Sequence, residues 1–356
     1  MCKNNRNPLQ CILPPYITEK MIESSDKKTE EIGLKNSFRN TRFRNERNFF
    51  SSLNNEQRFI LTTAKKSESK AKPSAKIKIY NCGHKTSLPG KLMKSNSKDR
   101  DYKNVKTGVK QTWDFYHKLF GRNSIDDLGM VLTNSIHYSE KYSNAMWDGK
   151  QMSYGDGDGK YTLSFTEDID IIGHELTHGV VQFSANLDYE FQSGALNESF
   201  ADIFGIMIKQ KAMNLDVKKS NWLIGENILK GNQFAVRSLK RPGSAYKNHK
   251  LFGDDPQPAT MDKFEKLPNT KAGDYGGVHI NSGIPNFAFY VTAFNIGGNS
   301  WEKAGRIWYG ALTELLKENS DFKDAKNSTI KKATQIFGKG SLEEKAVKAG
   351  WKEAKV

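Results

Sequence analysis

The spacing of apolar residues separates a strand-rich stretch of the chain from a helical one. Alternating polar and apolar residues predict a strand at 76–80, and apolar stretches at 130–138 and 144–154 each predict one more. Between them, apolar residues at helical spacing predict a helix at 104–120. The same spacing recurs from residue 168 onward, at about 168–182, 196–211, 284–296, 301–316, 327–337 and 342–349. We therefore expect an α+β fold whose second half is helical.

Residues 1–66 carry few periodic apolar segments and are rich in Asn, Lys, Ser and Glu. Their one compact apolar segment is 11–17, Cys-Ile-Leu-Pro-Pro-Tyr-Ile. Because proline forces local extension and has no N–H to donate, this segment suits a groove better than a sheet. A Lys/Ser-rich stretch at 65–74 is typical of an exposed linker that proteases reach, and we place the domain boundary there.

The 356 residues, of which 37% are hydrophobic and 11% aromatic, are enough for two domains and a substantial core. No apolar run approaches the length of about 18–20 residues that crosses a bilayer, and the first residues lack the apolar centre of a secretory signal. Three scattered cysteines, Cys2, Cys11 and Cys82, are too few for a disulfide framework, so we expect them to stay reduced.

The net charge of +15 raises the question of a nucleic-acid partner. Residues 1–72 hold 15 Lys and Arg against 8 Asp and Glu, so nearly half of the excess lies in the first fifth of the chain. The steepest cluster there is Arg39, Arg42, Arg44 and Arg47. A solvated or internally docked basic arm explains this distribution better than RNA or DNA binding does.

The predicted helix at 168–182 contains His174-Glu175-Leu176-Thr177-His178. On a helix the two histidines, four residues apart, point from one face and can share one metal ion. Glu175 then lies beside the open position of the metal, where a carboxylate can take a proton from metal-activated water. This arrangement indicates a zinc hydrolase.

The next predicted helix offers a third protein ligand. Glu198 and Asp202 are four residues apart on one face of an otherwise apolar helix. Burying a lone carboxylate costs several kcal/mol, so both need partners: a metal ion for Glu198 and an imidazole N–H for Asp202. The alternative is a structural pair of carboxylates that faces Lys or Arg elsewhere.

His-Glu-x-x-His, followed about twenty residues later by Asn-Glu-x-x-x-Asp, resembles the thermolysin-like metalloproteases. Further motifs of that family occur in the same order between about residue 77 and the C-terminus: Asn144-Ala-Met-Trp147, Tyr154-Gly-Asp-Gly-Asp-Gly159, Gly276-Gly-Val-His-Ile-Asn-Ser-Gly283 and Trp308-Tyr-Gly-Ala-Leu312. The resemblance implies a two-lobed fold. A strand-rich N-terminal lobe and a helical C-terminal lobe would enclose the active-site cleft, preceded by a small propeptide.

The same resemblance assigns a role to each residue of the metal motifs. It implies that His174, His178 and Glu198 bind one catalytic zinc ion. It also implies that Glu175 is the base that activates water and later protonates the leaving amine. Asp202 would orient His174.

The resemblance further implies groups that bind the reacting peptide. His279 and Tyr189 would donate hydrogen bonds to the tetrahedral oxyanion, and Asp274 would hold His279. Asn144 and Ala145 match an edge strand that pairs with the substrate backbone.

A side-chain pocket is implied beside these groups. Arg237 matches an arginine that supports the primary pocket, and Phe165, Ile171, Ile224 and Val236 would line it. Their apolar character predicts cleavage on the N-terminal side of bulky hydrophobic residues. The alternative for each of the four is an ordinary core position.

One departure from thermolysin concerns its double-calcium site, whose acidic residues correspond here to Asp170, Lys209, Asn221, Leu223 and Glu226. Only two carboxylates remain, and Lys209 supplies positive charge among them. We therefore expect Lys209 to pair with Asp170 and Glu226, and we expect no calcium there.

The N-terminal segment resembles that of the protealysin-like branch, which has a short propeptide. Pro14, Pro15 and Tyr16 are then expected to plug the primed subsites until the propeptide is removed. Cys11 raises the further possibility of a cysteine switch, in which its thiol would bind the metal. The proline motif explains inhibition without that switch.

Together these observations predict the precursor of a zinc endopeptidase, with an inhibitory propeptide at 1–66, a strand-rich lobe with the zinc-site helix at 67–182 and a helical lobe at 183–356. The expected partners are protein or peptide substrates and the chain's own propeptide, with no nucleic acid or membrane, in a monomer. The family implies secretion, but without a visible signal peptide, cytoplasmic accumulation or non-classical export is also open. The alternative function is a proteolytically silent binding or toxin-like protein that acts through the basic arm.

Overall fold

A computed structural model describes residues 11–52, 73–231 and 234–356, and for 42–52 only the helical backbone. The helices are α1 (Pro15–Ile22), α2 (Lys27–Ser52), α3 (Arg100–Phe120), α4 (Ile169–Gln182), α5 (Phe191–Met213), α6 (Asp274–Asn281), α7 (Gly283–Ile296), α8 (Ala304–Glu314), α9 (Phe322–Phe337) and α10 (Leu342–Glu353). The strands are β1 (Ile77–Asn81), β2 (Lys91–Leu92), β3 (Leu132–Ile136), β4 (Ala145–Trp147), β5 (Met152–Tyr154), β6 (Leu223–Ile224) and β7 (Arg237–Ser238).

The first lobe is built on a five-stranded sheet in the order β2-β1-β3-β5-β4. β1, β3 and β5 run parallel, whereas β2 and β4 pair antiparallel at the two ends. The buried stripe of α3, which includes Val105, Val109, Thr112 and Tyr116, packs toward β1 and α4. Because β4 is last in the strand order, it forms one edge of the sheet.

The single strand expected at 144–154 is wrong, because this segment is a hairpin. β4 and β5 pair antiparallel, with Trp147 opposite Met152. The turn between them is held by the Asp148 side chain, whose Oδ1 accepts from the N–H groups of Lys150 and Gln151 at 2.9 Å. An Asp-Gly pair between two apolar runs is a hairpin signal that the apolar pattern alone had hidden.

The second lobe is helical, as expected, and α5 crosses its centre. Residues on every side of α5 are buried, from Ser193 to Gln210. Its close neighbour is α4, which forms the boundary with the sheet lobe. The two-lobed α+β architecture predicted from the motifs is confirmed.

The N-terminal arm, defined here as residues 11–52, departs from the expectation of few regular segments, since it contains α1 and α2. Proline suits the first position of a helix, where its missing N–H has no partner to lose, so Pro15 begins α1. Pro14, which precedes the helix, is extended, with φ −60° and ψ 152°. The buried stripe of α2 is Thr29, Gly33, Asn36 and Asn40, small and polar residues that a search for apolar spacing does not detect.

None of the described helices has the length and apolar character needed to span a bilayer.

Candidate active site

His174 and His178 lie on α4 with their Nε2 atoms 3.0 Å apart. Nδ1 of His174 is 2.9 Å from an Asp202 carboxylate oxygen, and Nδ1 of His178 is 3.0 Å from Oδ1 of Asn197. The Asn197 amide is oriented because its Nδ2 donates to the Leu187 carbonyl at 3.1 Å. Since both Nδ1 partners only accept, each neutral ring carries its proton at Nδ1 and presents a lone pair at Nε2.

Glu198 on α5 completes a group of three potential metal ligands. Its oxygens lie 3.5 Å from Nε2 of His174 and 3.4 Å from Nε2 of His178. The side chain is fully buried, and its Oε2 has no hydrogen-bond partner among the residues that the structure describes. Two facing lone pairs and a carboxylate repel one another unless a cation lies between them. These side chains therefore fit a zinc ion, which takes nitrogen and oxygen ligands in a tetrahedral site with an open position.

Glycines allow α4 and α5 to approach closely enough to form this group. A Cβ atom on Gly205 would lie 2.7 Å from the Asp170 carbonyl oxygen. One on Gly173 would lie 2.9 Å from the Ile208 side chain. Larger residues at these two positions would push the helices apart and separate the histidines from the carboxylates.

Glu175 is fully buried next to the first histidine. Its Oε2 accepts from the backbone N–H of Trp147 on β4 at 2.9 Å. The Trp147 indole in turn donates to Gln182 at 2.9 Å, and Gly179 leaves room for it, because a Cβ there would lie 3.1 Å from the indole. Glu175 is therefore held between the metal-ligand group and the edge strand.

His279 and Tyr189 lie beside Glu198. Nε2 of His279 is 3.1 Å from the Tyr189 hydroxyl, which donates to Glu198. Asp274 accepts from Nδ1 of His279 at 2.6 Å and from its backbone N–H at 2.7 Å. Burial opposes the charged form of His279, but Asp274 and Glu198 outweigh it and raise its pKa to about 9. A protonated imidazole and a phenol are donors suited to a developing oxyanion.

The turn that carries His279 has left-handed backbone from Asp274 to Gly277, with φ between 50° and 84°. A Cβ atom on Gly276 would lie 2.4 Å from the Phe191 ring. The Gly-Gly pair is thus required both by the backbone conformation and by space.

Arg237 and Asp202 form a buried ion pair behind His174. Nε and one terminal nitrogen of Arg237 donate to the two Asp202 oxygens at 2.7 and 2.8 Å. Burial would raise the pKa of Asp202, but Arg237 and His174 hold it below its usual range. Asn286 adds a third contact to Asp202 at 2.9 Å. Neither Asn286 nor Asn197 was identified from the sequence, although Asn197 directly precedes a ligand in a buried helix.

The four residues predicted to line the side-chain pocket are buried in the main apolar core: Phe165, Ile171, Ile224 and Val236. Ile12 of the N-terminal arm belongs to the same core and is fully buried. The Ile12 carbonyl also accepts from Arg237, the residue predicted to support that pocket.

Backbone groups of the arm contact the predicted catalytic side chains. Nε2 of His279 lies 3.0 Å from the Cys11 carbonyl oxygen, and a terminal nitrogen of Arg237 donates to the Ile12 carbonyl at 2.8 Å. The Leu13 N–H donates to Oδ1 of Asn144 at 3.1 Å. Cys11 also forms an isolated antiparallel bridge with Met146 of β4, so the arm joins the sheet edge, contrary to the expectation from its prolines.

These contacts come from Cys11–Leu13, so the segment at the predicted catalytic side chains begins before the expected plug of Pro14, Pro15 and Tyr16. Pro14 and Pro15 are buried but lie at the start of α1, and the Tyr16 hydroxyl is 3.1 Å from the hydroxyl of Tyr246. Helix formation from Pro15 onward turns the chain away from the extended path. The Cys11 thiol donates to the Leu13 carbonyl at 3.3 Å, and the potential metal ligands found at this site among the described residues are His174, His178 and Glu198.

Lys209 lies between the two carboxylates with which it is predicted to pair in place of a calcium ion. Its Nζ is 3.0 Å from Asp170 and 3.3 Å from Glu226, as predicted, and it donates to the Leu223 carbonyl at 3.2 Å. Burial disfavours its charged form, but the Asp170 and Glu226 carboxylates raise its pKa. The ammonium group thus occupies the centre of this cluster.

A second group that could hold a metal is Asp99, Asp101 and His137. However, both ring nitrogens of His137 are already engaged, with Nε2 3.0 Å from Asp99 and Nδ1 2.9 Å from Asp156. Such a histidine acts as a doubly hydrogen-bonded cation rather than as a ligand.

Comparison with known proteins gives a consistent assignment for both lobes. Residues 42–182 match the model of the thermolysin metallopeptidase catalytic domain, and residues 185–356 match that of the thermolysin metallopeptidase alpha-helical domain. The chain is 39% identical to Protease PrtS of Photorhabdus sp. (strain Az29) over 362 residues, which cover 98% of this chain and 92% of that protein. It is 44% identical to the Extracellular metalloprotease of Pectobacterium carotovorum subsp. carotovorum over 270 residues, 73% of this chain and 75% of that one.

A solved structure resembles the whole chain. It is the precursor of Protealysin, a metalloproteinase from Serratia proteamaculans, with a TM-score of 0.84 and 35% identity. The match covers 97% of this chain and 99% of that chain.

Proposed function

The chain belongs to the thermolysin family of metallopeptidases and is a metalloendopeptidase, and from this premise we propose that it is the precursor of a zinc-dependent enzyme. In this proposal residues 1–66 are the propeptide, 67–182 the strand-rich catalytic lobe with α4, and 183–356 the helical lobe. The metalloendopeptidase assignment does not favour the alternative, a proteolytically silent binding or toxin-like protein.

The observation that carries the zinc assignment is the pair of facing Nε2 atoms of His174 and His178 beside the unpartnered carboxylate oxygen of Glu198. A zinc ion held there supplies a Lewis acid that polarises a peptide carbonyl and acidifies water. Asp202 and Asn197 orient the two imidazoles through their Nδ1 protons.

Glu175 is the proposed general base. Its buried carboxylate, fixed at one oxygen by the Trp147 N–H, takes a proton from water and delivers it to the leaving amine. His279 and Tyr189 donate to the carbonyl oxygen as it gains negative charge. Asp274 accepts the Nδ1 proton of His279 and favours the doubly protonated ring, whose Nε2–H can then donate to the substrate.

The proposed substrate runs along β4, where the Asn144 amide and the Ala145 backbone bind an extended peptide. Phe165, Ile171, Ile224 and Val236 form an apolar pocket, supported by Arg237, for the residue after the cleaved bond. Cleavage is therefore expected on the N-terminal side of bulky hydrophobic residues.

The N-terminal arm is the proposed inhibitor, because its backbone contacts His279, Arg237 and Asn144, which a substrate would also need. The enzyme is proposed to act as a monomer outside the cell, in keeping with the relative named an extracellular metalloprotease. No calcium is proposed between Asp170 and Glu226, because the Lys209 ammonium stands between them.

The test is hydrolysis of a peptide with a single Phe or Leu by the processed enzyme. We expect one cut before that residue, loss of activity on treatment with a zinc chelator, and recovery on addition of zinc. Activity that survives removal of all metal would contradict the proposal. A peptide whose only bulky residue is replaced by Asp serves as the control and should remain uncut.

A further inference from the structure

The N-terminal arm crosses the active site in a defined direction. Cys11 lies opposite Met146 in an antiparallel bridge. Leu13, two residues after Cys11, contacts Asn144, which is two residues before Met146. Asn144 also donates from Nδ2 to the Leu13 carbonyl, at 3.4 Å. Two contacts with the same antiparallel offset fix one register for the arm along β4.

Polar side chains of the site contact successive carbonyl groups of the arm, in an order consistent with this register. His279 binds the Cys11 carbonyl and Arg237 binds the next carbonyl, that of Ile12. His279 also contacts Tyr189, which is bonded to the ligand Glu198, so the Cys11 carbonyl is the one on the metal side. Glu175 accepts a hydrogen bond from the backbone N–H of Trp147 on β4. Trp147 directly follows Met146, which pairs with Cys11.

These two sets of contacts place the bond between Cys11 and Ile12 where a reacting peptide bond belongs. The carbonyl on its N-terminal side faces the oxyanion donors, and Ile12, the residue on its C-terminal side, is a fully buried bulky apolar residue. We propose that the precursor hydrolyses its own Cys11–Ile12 peptide bond, with Ile12 as the residue that sets the register. This inference rests on the proposed function.

The step is an ordinary hydrolysis. The oxygen of water bonds to the Cys11 carbonyl carbon, the C–N bond to Ile12 breaks, and the Ile12 nitrogen receives a proton by way of Glu175. The products are a carboxylate at Cys11 and a chain that begins with Ile12-Leu13-Pro14. Because Leu13 is held by Asn144 and α1, which follows it, has four buried residues, the shortened arm remains docked and release of inhibition needs a further event.

The chemical test uses the full-length, zinc-loaded chain at several dilutions, followed by N-terminal sequencing and intact mass. We expect a new N-terminus at Ile12, formed at a rate that does not depend on chain concentration. Ile12→Leu should keep the cut, and Ile12→Asp should slow it at least tenfold. Leu34→Asp, an equal charge change at an exposed site of the arm, should leave it unchanged.

A second readout needs no activity. In the metal-free Glu175→Gln chain, amide hydrogen exchange should show protection at Leu13. Asn144→Ala should remove this protection and leave that of Ile17, whose N–H bonds to the Pro14 carbonyl, intact. An unprotected Leu13 amide in the Glu175→Gln chain would overturn the register.

The outcomes separate this inference from the proposed function. The Ile12→Asp chain, whose arm is loosened, should cleave an added peptide. If it does so while the wild-type chain keeps its Cys11–Ile12 bond intact, the inference fails and the enzyme assignment stands. If Ile12→Asp and processed wild type both leave the added peptide uncut, the proposed function fails.

Discussion

Each metal-facing imidazole is oriented by a hydrogen bond at its other ring nitrogen, and the two partners differ in chemistry. His174 has a charged partner, Asp202, which is itself held by Arg237, whereas His178 has the neutral amide of Asn197. A carboxylate raises the basicity of a ligand imidazole more than an amide does. The neutral partner chiefly fixes the ring's orientation.

We predict that Asn197→Ala weakens zinc affinity about 10- to 100-fold, because the His178 ring loses the group that fixes its proton at Nδ1. Competition with a chelating dye measures this affinity in the full-length protein. Gln210→Ala is the matched control, since Gln210 is a buried amide on the same helix whose side chain contacts Ser220 and Ser300 instead. Equal zinc affinity in Asn197→Ala and the control would refute the assignment.

The ligands themselves were accessible to sequence reasoning because helical spacing alone places His174 and His178 on one face. Burial of Glu198 and Asp202 in an apolar helix then required partners for both. Asn197 was not accessible, because an asparagine next to a ligand has many possible partners and only the packing of α5 against α4 selects His178.

At the scale of elements, the hydrogen bonds of His137 connect three segments of the first lobe. It follows β3 and contacts Asp99, the N-cap of α3, and Asp156 in the Gly-rich loop after β5. His84 and Asp101 also face this group. The hydrogen bond that His137 donates to Asp156 raises the pKa of His137 from 6.5 to about 9. Burial opposes this shift, and Asp99 adds to it.

We predict a pH-dependent contribution of His137 to stability. Because the folded pKa is raised, the contribution is fully present below about pH 6.5 and is lost as the pH rises through about 9, with an upper limit of about 3 kcal/mol. Urea unfolding of the wild type and of His137→Gln at pH 6 and pH 10 measures it. The difference between the two should shrink at pH 10, and a pH-independent difference would contradict the charged pairing.

A second prediction at this scale concerns the ion pair between α4 and α5. Lys209→Met leaves Asp170 buried without its cationic partner and should cost about 3–5 kcal/mol in the free energy of unfolding. Lys20→Met, at an exposed pair with Glu23, should cost less than about 1 kcal/mol. Millimolar calcium should leave the melting temperature of the wild type unchanged, and a clear rise would show that calcium binds despite Lys209.

Several elements were predicted where apolar spacing was strong, as in α3, α4 and the C-terminal helices. The β4–β5 hairpin differs from the single strand that its apolar pattern predicts, because Asp148-Gly149 forms a turn within it. α2 was missed for a physical reason: it buries Thr29, Gly33, Asn36 and Asn40, which carry almost no hydrophobic signal.

At the scale of the whole molecule, the sequence predicts the two lobes and the metal motifs and supports the proposal of an inhibitory N-terminal arm. The register of that arm could not be predicted from the sequence. The prediction rested on the Pro14-Pro15 pair, whereas the hydrogen bonds to the side chains of the cleft come from Cys11, Ile12 and Leu13. Register depends on which backbone carbonyl meets which side chain of the cleft, and that is a property of the docked molecule rather than of any local motif.

The most direct test of the central claim is element-specific metal analysis of the full-length protein, combined with peptide cleavage by the processed enzyme. The account predicts one zinc ion per chain in the wild type and in Glu175→Gln, with activity lost in the variant by at least about 100-fold. In His178→Ala both zinc and activity should fall to background. Undiminished zinc in His178→Ala, or peptide cleavage by zinc-free protein, would contradict the account.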